Sequence, residues 1–257
     1  MPIVSTDKRV GFILSSGRTG TVFVTRALER HLPGVVSVHE PRGSRTNLVL
    51  SNVRNLVGPG TEVVRTRFRE GLQRRLDALP AGTLYVEVNP MLVALTDILA
   101  DEVEPLHLVH LTRDPTDWVR SIRKFRASTK FRPFIDHAPF ANPYPSPRPD
   151  GWWRASRVER ALWRWRYSNE RILAIRDRAA SYVHLRYEDL FADDRDLQLA
   201  TLGAAVRTLG VDDDVDGSWL DTSVRENPAP PGERVDVDPA LVERICGPLA
   251  RELGYPS

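Results

Sequence analysis

Short runs of apolar residues alternate along this chain with longer segments that have the spacing of amphipathic helices. This alternation is typical of βαβ units, in which helices cover both faces of a parallel sheet. The apolar runs predict strands at Val10–Leu14, Val35–Val38, Leu84–Val88, His107–Leu111 and Tyr182–Leu185. The longer segments predict helices at about Gly20–His31, Glu62–Leu79, Pro90–Ala100, Pro115–Phe125, Ser156–Ala180, Leu197–Leu209 and Pro239–Leu253. We therefore expect an α/β fold of three layers with a central parallel sheet of about five strands.

Two stretches interrupt the alternation of strands and helices. Residues 126–150 contain six prolines among aromatic side chains, and residues 225–237 are also rich in proline. A loop as long as the first is usually a lid, a binding loop or a disordered segment. Too little chain follows either stretch to form a second core, and 257 residues are within the range of one α/β domain. The sequence therefore predicts a single domain over residues 1–257.

Composition excludes several classes of function. The 36 basic and 34 acidic residues nearly cancel, whereas nucleic-acid binding normally needs a clustered basic excess. Cys246 is the only cysteine, so no intrachain disulfide is possible, and its helical context favours a small core residue. No stretch approaches the roughly 18 apolar residues of a membrane span. We expect a cytoplasmic protein with no nucleic-acid partner and no membrane span, and a homodimer is possible.

The loop after the first strand has the composition of an anion-binding site. Its sequence is SSGRTGT over residues 15–21, between an apolar strand and an amphipathic helix. In such a loop, backbone N–H groups converge on an anion at the helix N-terminus, and Arg18 adds a positive charge. A kinase P-loop reads GxxxxGK[ST], but here Thr21 and Val22 follow Gly20, so the lysine and the Mg²⁺-binding hydroxyl are missing. The positions expected to bind the anion are Ser16, Gly17, Arg18, Thr19, Gly20, Thr21 and Val22.

A second motif follows the fourth predicted strand. Arg113 stands at the end of this strand, Asp114 and Pro115 suit the start of a helix, and Ser121 lies eight residues after Arg113. Ligands of open parallel sheets bind at the carboxyl ends of the strands, so Arg113 is expected to face the opening of the first loop. The alternative is a capped helix that happens to carry a surface arginine.

Together these segments resemble sulfotransferases that use 3′-phosphoadenosine-5′-phosphosulfate (PAPS). The R-[ST]-G-T loop resembles their 5′-phosphosulfate loop, and R-D-P-x-x-x-x-x-S resembles their 3′-phosphate motif. A YEDL segment at residues 187–190 is similar to the family's segment whose tyrosine lies near the adenine. The resemblance covers about residues 10–190. It implies a P-loop-like fold, Arg113 and Ser121 at the 3′-phosphate, Tyr187 near the base, and no metal.

The resemblance also implies the reaction. PAPS would donate a sulfuryl group to a hydroxyl of a small-molecule, sugar or lipid acceptor and leave as adenosine 3′,5′-bisphosphate (PAP). The acceptor hydroxyl must lose its proton, and a general base usually contributes about 10²- to 10⁴-fold. Glu40, just after the second strand, resembles the glutamate base of several bacterial relatives, while His39 is the alternative. Arg18 would stabilise charge on the bridging oxygen. Glu40 could instead pair with Arg42 or Arg45.

The acceptor site and two rival functions stay open. Asn89, after the third strand, either orients an acceptor hydroxyl or caps the helix at Pro90. The aromatic loop of residues 126–153 suggests an apolar-lined acceptor pocket. The rivals are a P-loop-type small-molecule or nucleotide kinase and a non-catalytic nucleotide-binding protein. The missing Gly-Lys-[ST] argues against the kinase, and Glu40 beside the loop argues against the non-catalytic protein. The six histidines and Cys246 have no convincing metal-ligand spacing.

Overall fold

A parallel five-stranded sheet forms the centre of the protein. The computed structural model describes residues 8–124, 138–140, 142–220 and 235–256. All neighbouring strands are parallel, and their order is β2-β3-β1-β4-β5. The strands are β1 (Arg9–Ser15), β2 (Val35–His39), β3 (Leu84–Val88), β4 (His107–Thr112) and β5 (Ser181–Arg186). The predicted α/β fold and its five strands are confirmed, with strand ends that differ by at most one residue.

Helices connect the strands and differ from the predicted set in several places, including the short helix Tyr187–Leu190, which was not predicted. The α-helices are α1 (Thr21–His31), α2 (Ser44–Val57), α3 (Thr61–Asp77), α4 (Thr96–Glu102), α5 (Pro115–Lys124), α6 (Arg157–Leu173), α7 (Tyr187–Leu190), α8 (Arg195–Thr208) and α9 (Pro239–Glu252). The segment predicted as one helix from Pro90 begins as a 3₁₀ helix, Pro90–Leu95, before α4. The helix predicted to reach Ala180 ends at Leu173. Helix α2 was not predicted, because asparagine, serine, threonine and valine give its sequence a low helix propensity.

The two faces of the sheet are covered separately, which confirms the three layers. Phe12 and Leu14 of β1 pack into one core cluster with side chains of α3, α4 and α6. Ile13, between them, packs into a second cluster with side chains of α1 and α8. All three side chains are fully buried. Because successive residues of a strand point to opposite faces, β1 contributes to both cores. Its near-continuous apolar sequence follows from that position.

The strand order places the candidate site. Strand β1 lies at the middle of the sheet, with β3 on one side and β4 on the other. The connection that leaves β1 runs toward β2, and the connection that leaves β4 runs toward β5. They diverge at the carboxyl ends of these neighbouring strands, which creates the crevice where open α/β sheets bind ligands. Most of the proline-rich stretch 126–150, and most of residues 225–237, lie outside the described residues. In the part of the chain that is described, no helix is long and apolar enough to cross a membrane.

Candidate active site

The loop between β1 and α1 has an unusual backbone. Gly17, Arg18 and Gly20 have positive φ angles of 78°, 58° and 85°. Arg18 is strained in this conformation because its Cβ crowds the backbone, and such strain is common at functional sites. Successive N–H groups in a loop of this kind turn toward one point and form a concavity for an anion. The backbone thus agrees with the predicted anion-binding loop.

Two hydroxyls of this loop are buried without a hydrogen-bond partner. Ser16 Oγ and Thr19 Oγ1 have no partner among the described residues. A buried donor that makes no hydrogen bond costs free energy, and native proteins contain few of them. An oxyanion at the N-terminus of α1 would accept hydrogen bonds from both hydroxyls and from the backbone N–H groups. The loop therefore fits a phosphate or phosphosulfate group.

The two sequence motifs meet at this loop. The Nε of Arg18 donates to Ser121 Oγ of α5 over 3.2 Å. The Nη1 of Arg113, just after β4, donates to the carbonyl oxygen of Arg18 over 3.3 Å. Burial lowers the pKa of Arg18, and the positive charge of Arg113 lowers it further. Because two guanidinium groups lie close together in a half-buried position, a bound anion between them would be stabilised.

Aromatic side chains adjoin the arginines. The guanidinium of Arg113 lies 4.0 Å from the ring centre of Tyr187, at cation–π distance. The ring centres of Tyr187 and Phe191 are 4.6 Å apart, and those of Phe191 and Phe23 of α1 are 5.1 Å apart. A Cβ at Gly20 would lie 2.8 Å from Phe191, so only glycine fits there. These rings form an aromatic cluster beside the loop.

Two tryptophans hold the motifs in place. The indole Nε1 of Trp118 in α5 donates to the carbonyl oxygen of Gly17 over 2.6 Å. The indole Nε1 of Trp165 in α6 donates to the carbonyl oxygen of Arg113 over 2.9 Å. Both rings are buried. The motifs that were identified in the sequence did not include Trp118 or Phe191. Their only sequence signal was their position: Trp118 lies four residues after Asp114, and Phe191 directly follows the YEDL segment.

The end of β2 brings His39 and Glu40 to the same edge of the sheet. His39 Nε2 lies 3.0 Å from Thr21 Oγ1 in the loop. Burial lowers the pKa of His39, although the neighbouring Glu40 raises it. Glu40 is exposed and has a φ of 48°. Within the described residues, Glu40 forms no ion pair with Arg42 or Arg45. The imidazole is thus linked to the loop, while the carboxylate is open to solvent.

Asn89 is a cap and a buried connector. Its Oδ1 accepts the backbone N–H of Met91 over 3.0 Å, at the start of the 3₁₀ helix. Its Nδ2 donates to Ser44 Oγ over 2.9 Å and to Glu87 Oε1 over 2.8 Å. Asn89 is fully buried. Since both amide hydrogens have partners inside the protein, Asn89 caps a helix and does not orient an acceptor.

This connector supports the turn that carries Glu40. Glu87 is buried in β3 and also accepts from Arg75 over 2.9 Å and from the Tyr85 hydroxyl over 3.3 Å. Ser44, at the start of α2, donates its hydroxyl to the carbonyl oxygen of Pro41 over 2.6 Å. The N–H of Glu40 donates to the carbonyl oxygen of Val88 over 3.0 Å. Hydrogen bonds to β3 and to the start of α2 therefore hold the strained turn after β2.

The described part of the aromatic loop packs against α2. Tyr144 and Trp152 are both buried, with ring centres 5.2 Å apart in an edge-to-face arrangement. Asn52 of α2 donates to the carbonyl oxygens of Pro139 and Asn142. These side chains stabilise the core, and Trp152 also lines an open cavity formed by residues 148–154. Phe131 and Phe134, which were also expected near an acceptor, lie outside the described residues. In residues 8–124, 138–140, 142–220 and 235–256, no cluster of side chains could hold a metal ion.

Solved structures of similar fold are sulfotransferases. The sulfotransferase domain of the Synechococcus PCC 7002 olefin synthase is 20% identical, with a TM-score of 0.55 over 100% of this chain and 98% of that one. The sulfotransferase domain of the curacin biosynthetic pathway is 16% identical, with a TM-score of 0.53 over 98% and 99%. A sulfotransferase from Alicyclobacillus acidocaldarius is 16% identical, with a TM-score of 0.53 over 99% and 98%. No protein-family model and no curated protein matches the sequence. The similarity extends over essentially the whole chain, which therefore has the sulfotransferase fold.

Proposed function

We propose that this protein is a sulfotransferase that transfers a sulfuryl group from PAPS to a hydroxyl of a small-molecule, sugar or lipid acceptor. The observation that carries the proposal is the meeting of two motifs 103 residues apart, where Arg18 Nε lies 3.2 Å from Ser121 Oγ. Arg113 Nη1 lies 3.3 Å from the carbonyl oxygen of Arg18. Two anionic groups, one at the loop and one at Arg113, would satisfy both motifs, and PAPS has both.

The loop of residues 16–22 would bind the 5′-phosphosulfate through its backbone N–H groups, through the unpartnered hydroxyls of Ser16 and Thr19, and through Arg18. Arg113 and Ser121 would bind the 3′-phosphate. A guanidinium group matches phosphate geometry and forms strong charge-assisted hydrogen bonds. Tyr187, whose ring lies against Arg113, would be near the adenine.

Glu40 would act as the general base. Its exposed carboxylate needs no tautomer to accept the acceptor's proton, and it lies at the edge of the sheet where the loop begins. His39 is the second candidate, because burial favours its neutral form, but its Nε2 is already within hydrogen-bond distance of Thr21. PAPS supplies the activated sulfuryl group, and Arg18 would stabilise the negative charge that develops on the oxygen it leaves.

Two alternatives make different demands on the site. A P-loop-type kinase needs a lysine and a Mg²⁺-binding hydroxyl after Gly20, where this chain has Thr21 and Val22. A non-catalytic nucleotide-binding protein has no need of a strained turn that presents a carboxylate beside the loop. A cytoplasmic, metal-independent enzyme of one domain, either monomeric or homodimeric, is part of the proposal.

Ligand-dependent unfolding tests the donor site. PAP at a hundred times its dissociation constant should stabilise the fold by about 2.7 kcal/mol, and AMP at the same concentration should do much less. Arg113→Ala should abolish most of the difference, because it removes the charge that recognises the 3′-phosphate. Arg178→Ala is the matched control, since Arg178 is a surface arginine paired with Asp101. Equal effects of PAP and AMP on the wild-type protein would reject the assignment.

Transfer of radiolabelled sulfate from PAPS to a panel of phenols, sugars and lipid alcohols tests the reaction. Because the loop lacks the kinase lysine and Mg²⁺ ligand, transfer should persist in EDTA. Activity that disappears in EDTA and returns with Mg²⁺, together with ATP as the better stabilising ligand, would favour the kinase.

A further inference from the structure

The segment after α9 is connected to the candidate donor site by hydrogen bonds. The hydroxyl of Tyr255 lies 3.2 Å from Glu188 Oε2. The other carboxylate oxygen, Oε1, accepts the backbone N–H of Asp114 over 2.9 Å. Asp114 directly follows Arg113, and Glu188 directly follows Tyr187. We propose that Tyr255 and Glu188 are positioning residues that hold Arg113 for the 3′-phosphate of the donor, an inference that rests on the proposed function.

The hydrogen bonds around Tyr255 have one consistent direction. Thr112 Oγ1 lies 2.7 Å from the Tyr255 hydroxyl and 2.7 Å from His184 Nε2. An ionised carboxylate can only accept, so Tyr255 donates to Glu188 and accepts from Thr112. The single hydroxyl hydrogen of Thr112 is then used, and the Nε2–H of His184 donates to Thr112. Each donor in this chain has its own acceptor, and the chain ends on Glu188.

Burial supports the protonation states that this direction requires. The pKa of His184 is lowered to about 4, first by burial and then by Arg186, so the ring is neutral near pH 7 and carries one hydrogen. Burial and the charge of Glu188 raise the pKa of Tyr255, so its hydroxyl keeps its hydrogen. Arg186 also donates to the carbonyl oxygen of Gly254 over 2.9 Å, which holds the segment against the end of β5.

The orientation of Arg113 depends on the hydrogen bond between Asp114 and Glu188, because these residues directly follow Arg113 and Tyr187. The Glu188 carboxylate joins Asp114, which lies between Arg113 and the first residue of α5, to the short helix α7, which begins at Tyr187. The guanidinium of Arg113 lies over the Tyr187 ring at 4.0 Å. If the bridge is lost, the two turns can separate and the guanidinium loses its preferred orientation. Binding of the 3′-phosphate then weakens, because a flexible side chain must be ordered when the ligand binds.

The 5′-phosphate site should be insensitive to this change. Besides the contacts of Arg18 with Arg113 and Ser121, its loop is held by the indole of Trp118 on the Gly17 carbonyl oxygen and by Thr21 near His39. AMP contains the 5′-phosphate and the adenine but lacks the 3′-phosphate. The ratio of the AMP and PAP dissociation constants therefore measures the contribution of Arg113 and its support.

The experiment compares Tyr255→Phe with wild type by isothermal titration calorimetry with PAP and with AMP. The variant removes one hydroxyl and keeps the buried ring. We expect PAP to bind about 10-fold more weakly, the usual effect of one hydrogen bond, and AMP to change by less than about twofold. Tyr182→Phe is the matched control, because its hydroxyl also bonds a side chain of β4, His110 Nδ1 at 3.0 Å, away from Arg113. The ratio of the AMP and PAP dissociation constants of Tyr182→Phe should equal that of wild type.

Glu188 provides a second pair of variants. In Glu188→Gln the amide can still accept from Asp114 and donate to the Tyr255 oxygen, so the ratio of the AMP and PAP dissociation constants should stay close to that of wild type. In Glu188→Ala this ratio should fall about 10-fold. A normal ratio in Tyr255→Phe or in Glu188→Ala, or an equal loss in Tyr182→Phe, would overturn the inference alone. A wild-type ratio near one would overturn the proposed donor as well.

Discussion

Replacing Asn89 by alanine tests the buried network beneath Glu40. The change removes three hydrogen bonds from a side chain that is fully buried. Loss of the helix cap at Met91 costs about 1 kcal/mol. The bond to Ser44 Oγ contributes about 1 kcal/mol, and the bond to the Glu87 carboxylate about 1.5 to 3 kcal/mol. We expect the free energy of unfolding to fall by about 4 kcal/mol, a large share of the stability of a typical domain.

Urea unfolding at pH 7, followed by circular dichroism, measures this change from the midpoint and the slope. Asn47→Ala in α2 is the control, since the Asn47 side chain makes no hydrogen bond within the described part of the chain. It should change stability by no more than about 0.5 kcal/mol. A loss below about 1 kcal/mol in Asn89→Ala would show that the network does not support the turn, and the reasoning about Glu40 would fail with it.

The variant Asn89→Asp separates the cap from the network. Aspartate can still accept from Met91, but it places a second carboxylate where Asn89 Nδ2 now lies 2.8 Å from Glu87 Oε1. Two carboxylates at this distance cannot both be ionised, so the pKa of one rises in the folded state. The stability loss relative to wild type should therefore be small near pH 4 and should grow toward pH 7. An equal loss at both pH values would contradict the contact between residues 87 and 89.

Two further predictions concern the base and a buried histidine. Glu40→Gln should keep PAP affinity and lower turnover by about 10²-fold or more, whereas His39→Ala should lower it less; near-normal turnover in Glu40→Gln would reject this base. Burial lowers the pKa of His110 to about 3, so only the unfolded chain gains a proton there as the pH falls from 6.5 toward 3. The free energy of unfolding should therefore fall as the pH drops from 6.5 toward 3. In His110→Phe this fall should be smaller than in wild type. Identical pH profiles of the unfolding free energy in the two proteins would exclude the effect.

The sheet and the first loop were predictable from the sequence because their signals are local. Each strand is a short apolar run, and β1 is apolar on both faces because both faces are covered. The loop of residues 15–21 combines glycines with hydroxyl residues directly between a strand and a helix, so its conformation is set by neighbours in the chain. The expectation that Arg113 faces the first loop rested on a general rule, that parallel sheets bind ligands at the carboxyl ends of their strands, whereas the role of Ser121 rested on the family resemblance.

The tertiary structure decided what local pattern cannot express. Helix α2 has low intrinsic propensity and forms because Leu48 and Ser51 are buried against the rest of the protein. The choice between the two predicted roles of Asn89 was decided by the buried bond from its Nδ2 to Ser44 Oγ, 45 residues away in sequence. The contact of Tyr255 with Thr112 spans 143 residues. The strand order β2-β3-β1-β4-β5 brings such residues together, and the hydrophobic spacing of a single segment does not contain that order. The sequence determined which residues are candidates for binding an anion, and the packing of the sheet determined which of them meet.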